Sequence, residues 1–500
     1  MPLRVRTLRH EQAEHRLAVI GDSLSHGFQS GAVTNTDVSF PAILAYELGW
    51  LDRFGRPGYY AFGGLPFNLE NFARYLERRF PDGLSWRNSG AAILSAHRYL
   101  AASKAWWERG PGTAMRMSAG FVHNLAIYGW DVRDILERDA DECRERILAP
   151  GRRILHPLLV DHANERAAIR VLDSARDGRG RAMTAPRATA LLGERGGVET
   201  LIVFIGNNNV LGAMTHLSLI WSEDDGYDDL LRKEAYTIWR PRHFRREIRR
   251  LADQIALVDA RHVIWSTLPH VTILPVARGV GGKAHAGSRY FRYYTRPWIG
   301  DAEFDPRVHP HLTSDEARII DSTIDQYNAE IVRLVREARE AGMDWLLCDA
   351  AGLVDRMALR RYGADRSARP AWWRPLAMPE MLRGLEPGLD SRFFTAGREG
   401  RRTGGLVSLD GIHPTTICYG LIAQRFIEIM QEAGVRFADP LTGAVRGGRV
   451  EVDFARLLKR DRLVADPPRR LDADLEFLGR IEEKIGLMRR TLHLGVRDVT

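Results

Sequence analysis

Leu17-Ala18-Val19-Ile20-Gly21-Asp22-Ser23-Leu24-Ser25 is the stretch on which the fold of this chain turns. Residues 17–20 form an apolar run long enough for a buried strand and too short for a helix. Gly21-Asp22-Ser23 breaks that run, and the polar residues Ser25, His26 and Gln29 follow. A serine just past a buried strand, at the start of a helix, sits where backbone N–H groups can stabilise a developing negative charge. Asp and Ser are also ordinary helix caps, so the reading needs support from elsewhere in the chain.

Working outward, residues 121–127, 200–205, 262–266 and 345–348 read as four more strands, each an apolar run stopped by a turn signal. Between them, residues 40–49, 69–80, 94–107, 132–148, 313–341 and 417–433 read as helices. Continuous apolar strands alternating with helices indicate a parallel sheet covered on both faces. Residues 50–70 read as an ordered loop, the loop near 177–181 as a flexible one, and 270–312 as Gly- and aromatic-rich without a regular period.

In such sheets ligands bind beyond the carboxyl ends of the strands. Four features fall there: Ser23 after the first strand, Gly129 after the second, Gly206-Asn207-Asn208-Asn209 after the third, and Asp410-Gly411-Ile412-His413-Pro414 beyond the last. The residue types suit acyl transfer. A serine hydroxyl needs a base, histidine titrates in the right range, and the histidine needs a partner to hold its tautomer. Asp410 and His413, three residues apart, supply that pair in one turn. A serine N–H, a glycine N–H and an asparagine amide would supply three oxyanion donors. Taken singly, His-Pro and Gly-Asn-Asn are ordinary loop chemistry; it is their joint occurrence at strand ends that carries weight.

The blocks Gly21-Asp22-Ser23-Leu24-Ser25, Asn124 to Gly129, Gly206-Asn207-Asn208 and Asp410-Gly411-Ile412-His413-Pro414 resemble those of the SGNH, or GDSL-type, serine hydrolases. The resemblance implies a flavodoxin-like three-layer α/β/α sandwich with a five-stranded parallel sheet. It also implies Ser23 as nucleophile, Asp410 and His413 as the rest of a catalytic triad, and Ser23, Gly129 and Asn208 as oxyanion donors, with no cofactor and no metal. The expected activity is ester hydrolysis of the esterase or lipase type through an acyl-enzyme. The alternatives are an acyltransferase of the same fold and an inactive binding or scaffold protein.

The chain departs from that family in length and in Asn209, where an aspartate is common. Residues 150–197 and 215–310 read as insertions in a domain spanning 1–435, and 436–500 as an extension with an amphipathic helix over 470–493. Two decoys are set aside: Asn88-Ser89-Gly90, whose strand context is poor, and Asp305 with His309-Pro310, whose spacing is longer. No Gly-x-Ser-x-Gly elbow, His-Glu-x-x-His or phosphate-binding glycine loop is present.

Composition narrows the class. With 45% hydrophobic and 27% charged residues in 500, the chain has the composition of a globular protein. Its net charge of +8 is dispersed; Arg242 to Arg250 carries Ile248 and runs into Leu251 and Ile255, so it reads as the wet face of a helix and not as a nucleic-acid surface. No apolar stretch reaches the ~18 residues of a membrane span. Cys143, Cys348 and Cys418 are far apart, and a cytoplasmic setting is expected. The partner expected is a small-molecule, lipid or carbohydrate ester, with a homodimer through the C-terminal helix as an alternative to its packing on its own domain. Trp221, Trp239, Trp265, Trp298, Trp372 and Trp373 are candidates for a substrate pocket, though buried aromatics more often fill cores.

Overall fold

The computed structural model describes residues 10, 12–85, 87–113, 121–148 and 159–471. The apolar runs become strands because both faces of each are covered: Leu17, Ala18, Val19, Ile20, Leu201, Ile202 and Ile264 are fully buried. His15–Gly21, Val198–Phe204, Ala260–Ser266 and Trp345–Cys348 lie side by side in that order as one parallel sheet of four strands. The register sets Val19 opposite Ile202, Ile202 opposite Ile264, and Trp345 opposite Val263.

The expected fifth strand at 121–127 is shorter than its apolar pattern implies. It forms one parallel bridge, Asn124 to Val19. Val19 N–H donates to the His123 carbonyl at 2.9 Å, Leu125 N–H to Val19 at 2.8 Å, and Ile127 N–H to Gly21 at 3.1 Å. The other edge of this ribbon meets a loop: His123 N–H donates to the Gly55 carbonyl at 2.8 Å. The ribbon therefore runs along the first strand and stops pairing there.

Helices cover the sheet in packed groups. Phe40–Glu47 packs with Thr416–Glu432, where the Phe40 and Phe426 rings stack at 5.1 Å. Pro241–Ile255 packs with Ser314–Glu340, Ala185–Gly196 and Val132–Glu137. Pro241–Ile255 buries Phe244, Ile248, Leu251 and Ile255, while Arg242, Arg245, Arg249 and Arg250 pair with Asp224, Glu330, Glu337 and Glu137. Its basic run is thus an ion-paired outer face. The helix expected over 132–148 is two helices, Val132–Glu137 and Ala140–Leu148, because the Asp139 carboxylate caps a new start by accepting the Asp141 and Glu142 N–H groups.

Described parts of the stretches read as insertions and extension pack into the core. Ile169 and Leu172 of Ala163–Leu172, and Ala188 and Leu192 of Ala185–Gly196, belong to the main hydrophobic cluster, as do Val450, Val452, Phe454 and Leu457. The loop at 177–181 is a tight turn pinned by Asp177, which accepts from the N–H groups of Arg179 and Arg181. Part of the aperiodic 270–312 stretch is a three-stranded antiparallel sheet of Arg278–Lys283, Phe291–Thr295 and Leu312–Thr313. All but the first two residues of the helix expected over 470–493, and the dimer seam placed on it, lie outside the described residues. Among the described residues no helix is long and apolar enough to cross a membrane.

Candidate active site

Where the first strand ends, Asp22 takes an extended backbone and caps the one-turn helix Ser23–His26. Its Oδ1 accepts the Leu24 N–H at 3.1 Å and its Oδ2 accepts the Asn207 amide at 2.8 Å. The carboxyl is fully buried, and burial pushes its pKa up to about 6 against the opposing pull of the Asn207 and Leu24 donors and the nearby His413. Ser23 is itself 6% exposed. As the first residue of a helix, its N–H is one of those without an intrahelical acceptor.

The Asp410–His413 turn faces it from the other end of the chain. Asp410 Oδ1 accepts the N–H groups of Ile412 and His413, each at 2.8 Å. Asp410 Oδ2 accepts the Gly31 N–H at 2.8 Å and lies 3.0 Å from His413 Nδ1. Burial raises the pKa of this carboxyl, but His413 and the converging donors outweigh it and hold it below the usual range. An ionised Asp410 fixes the proton of His413 on Nδ1 and leaves Nε2 as the basic nitrogen. The Phe28 ring packs against the imidazole at 4.4 Å. Ser408 Oγ accepts the Ser30 N–H at 2.9 Å, so the loop after the Ser23 helix is fastened to the loop before His413 at two points.

Gly129 follows the ribbon paired with the first strand and has φ +72, a conformation that a β-branched residue resists. A Cβ there would come 3.3 Å from the Asn164 amide nitrogen. His26 holds this turn: its Nδ1 accepts the Tyr128 N–H at 3.1 Å, which leaves the proton on Nε2, 3.1 Å from the Tyr59 hydroxyl. Burial drives the His26 pKa down to about 3, so the ring is neutral. Asn164, from a stretch read as an insertion, bonds the Tyr128 carbonyl and accepts the Trp130 indole N–H at 2.8 Å. Neither His26 nor Asn164 was marked by the sequence as part of this site. His26, a polar residue among buried neighbours, three positions after Ser23, carried a faint signal; Asn164 carried none.

After the second sheet strand, Gly206 turns the chain at φ +125, where a Cβ would meet the Phe244 ring at 2.9 Å. The three asparagines that follow point different ways. Asn207 bonds Asp22, as above. Asn208 is half-buried and donates to the Trp130 carbonyl at 2.8 Å, beside the Gly129 turn. Asn209 is buried, and its Oδ1 accepts the Val132 N–H at 3.3 Å.

Ser23, Asn207 and His413 line one pocket of about 890 Å³, its open mouth included, at the carboxyl edge of the sheet. Gly129 and Asn208 are not among its lining residues; they flank Trp130, whose carbonyl takes the Asn208 amide. The decoys lie elsewhere. Gly90 is the second residue of the exposed start of the helix Ser89–Arg109, with open space around its Cα, and His309 Nδ1 accepts the N–H of Asp305 in its own loop. Among the described residues, none of the six candidate tryptophans lines the pocket. Also among them, no group of three or more His, Cys, Asp or Glu is arranged to hold a metal ion. No protein-family model matches the chain, and no curated protein is significantly similar to it.

Proposed function

We propose that this chain is a serine ester hydrolase of the SGNH type, with the ribbon at 123–127 standing in the place of the outer strand of a five-stranded flavodoxin-like sheet. The observation that carries the reading is the meeting of Ser23 and the Asp410-held His413 on a single pocket, from opposite ends of the chain. The Gly31 and Ser30 N–H bonds to Asp410 and Ser408 keep the two loops in register.

In the proposed reaction His413 Nε2 takes the Ser23 proton as Oγ bonds to the ester carbonyl carbon. The carbonyl electron pair moves onto oxygen, where the N–H groups of Ser23 and Gly129 and the amide of Asn208 hold it. Asn208 has two N–H groups, so the one given to Trp130 leaves another for this purpose. As the C–O bond to the alcohol breaks, the proton on His413 passes to that alcohol. Water then attacks the acyl-Ser23 carbonyl with His413 as base, and the acid departs. Donors of this kind each contribute on the order of 3 kcal/mol to the transition state.

A fluorophosphonate probe tests the reading. It should label the native chain on Ser23 and fail to label a folded Ser23→Ala variant, which should also lose ester turnover. Equal labelling of both proteins, or turnover by Ser23→Ala at the native rate, would overturn it.

A further inference from the structure

We propose that the pocket beside Ser23 takes the acyl chain of the substrate, and that the substrates are esters of aliphatic acids longer than acetate; this rests on the hydrolase reading above. The walls are apolar. Leu24, Leu274, Leu353, Val354, Met357 and Ile412 line it, contributed by four separate segments. Among the described residues that line it, none is Lys, Arg, Asp or Glu. Away from Ser23 and His413 the polar side chains on its wall bond to the protein: Ser391 Oγ donates to the Met357 carbonyl at 2.8 Å and accepts the Leu359 N–H at 3.1 Å, and one N–H of the Asn207 amide is given to Asp22. Burial pushes the Cys418 thiol up to about 12, so it lines the wall as a neutral group.

A sugar or a charged acyl group would lose its water against a wall whose polar side chains are few and which carries no ionised Lys, Arg, Asp or Glu to pair with it. A methylene chain gains by the same transfer. The acyl part is the better occupant than an alkyl alcohol, because it stays attached to Ser23 through both half-reactions. An alcohol held in a deep apolar pocket would delay its own release and the arrival of water.

The test is a series of p-nitrophenyl esters of rising acyl length, run beside alkyl acetates of rising alcohol length. The expected result is that kcat/KM rises about three- to fourfold per acyl methylene until the pocket is full, with no such rise along the alcohol series. Leu353→Trp should shrink the decanoate-to-acetate ratio of kcat/KM by about tenfold or more, the cost of excluding only a few methylenes. Met357→Trp serves if Leu353→Trp does not fold. A flat acyl series, or a rise along the alcohol series, overturns the proposal and leaves the hydrolase intact. A separate arm needs no turnover: decanoate should bind the Ser23→Ala protein calorimetrically, more weakly when Leu353→Trp is added. Decanoate binding without any ester turnover or Ser23 labelling would sink the hydrolase reading alone, and absence of binding sinks the pocket assignment.

Discussion

His26 Nδ1 accepts the Tyr128 N–H at 3.1 Å, so one imidazole fastens the helix that begins at Ser23 to the turn that carries Gly129. His26→Leu strands that buried N–H and takes a partner from Tyr59. It should cost about 1–3 kcal/mol of stability and lower kcat more than it changes KM, since it loosens a donor that acts in the transition state. His26→Gln, which can still accept from Tyr128, should recover part of both losses. Denaturant melts and steady-state kinetics on the three proteins decide it; a His26→Leu enzyme with native stability would show that the bond is dispensable.

Asp410→Asn sets an amide against donors. One oxygen can still accept from Ile412 and His413, but an NH₂ group then faces the Gly31 N–H and His413 Nδ1. The imidazole is left in the wrong tautomer, and kcat should fall by about 10²–10⁴, together with a lower melting temperature. His309→Ala should leave both close to native. Equal losses at His309 and His413 would mean that the wrong histidine has been assigned.

Asn207 and Asn208 should separate cleanly. Asn208→Ala is expected to lower kcat by about 10²–10³ with little change in KM. Asn207→Ala removes a donor from the buried Asp22 carboxylate, so its main effect should be on stability, and greater above about pH 6, where that carboxylate is ionised. A reversed pattern would move the oxyanion donor by one residue.

Gly129→Val asks a β-branched residue to hold φ +72 with the Asn164 amide 3.3 Å from its Cβ. The expected outcome is a loss of about 1–3 kcal/mol and a large drop in kcat in the protein that still folds. Gly90→Val places a side chain in open space on an exposed helix start, and should be close to neutral in both. Loss of turnover at Gly90 and not at Gly129 would show that the glycine donor is misassigned.

Asp461 offers a test by pH. It is fully buried, caps Arg462–Ala465 and accepts the Ile417 N–H at 2.9 Å; burial raises its carboxyl to about 7 despite those donors. A carboxyl raised in the folded state binds its proton there first, so its stabilising share is complete below the ordinary value near 4 and is lost as pH rises through about 7. Buried His26 and His123, both depressed to about 3, act in the opposite sense, losing stability as pH falls from about 6.5. The wild-type curve alone is therefore a sum. The difference between wild type and Asp461→Asn isolates the carboxyl: guanidinium midpoints should show the wild type losing ground to the variant between about pH 5 and pH 7.5, by an amount on the order of a few kcal/mol. Parallel curves would mean that Asp461 does not change charge in that interval.

The sheet was legible because its strands are buried on both faces and so read as unbroken apolar runs, as at Val198–Phe204. That Ser23 and the Asp410–His413 turn come together on one pocket was legible because two short blocks carry these residues whole. What escaped was set by tertiary contact. The ribbon at 121–127 looks like any other strand, yet Gly55 takes its outer edge. Asp139 divides a helix whose apolar pattern runs through it. Asn164 and His26 act on the Gly129 turn through bonds to a neighbour's backbone, and a backbone group leaves no trace in the residue that approaches it.

The bond from the Gly31 N–H to Asp410 spans 379 positions of chain. During synthesis at about 5–20 residues per second, some 20–80 s separate the appearance of its two ends. For that interval the Ser23 loop is finished and His413 does not yet exist, and the pocket lacks the wall that Ile412 will supply. The first strand of the sheet is thus made long before the two loops can meet. A nascent chain arrested ahead of residue 410 would carry Ser23 without the Asp410–His413 turn, so the meeting of the two on one pocket waits for a segment made hundreds of residues later.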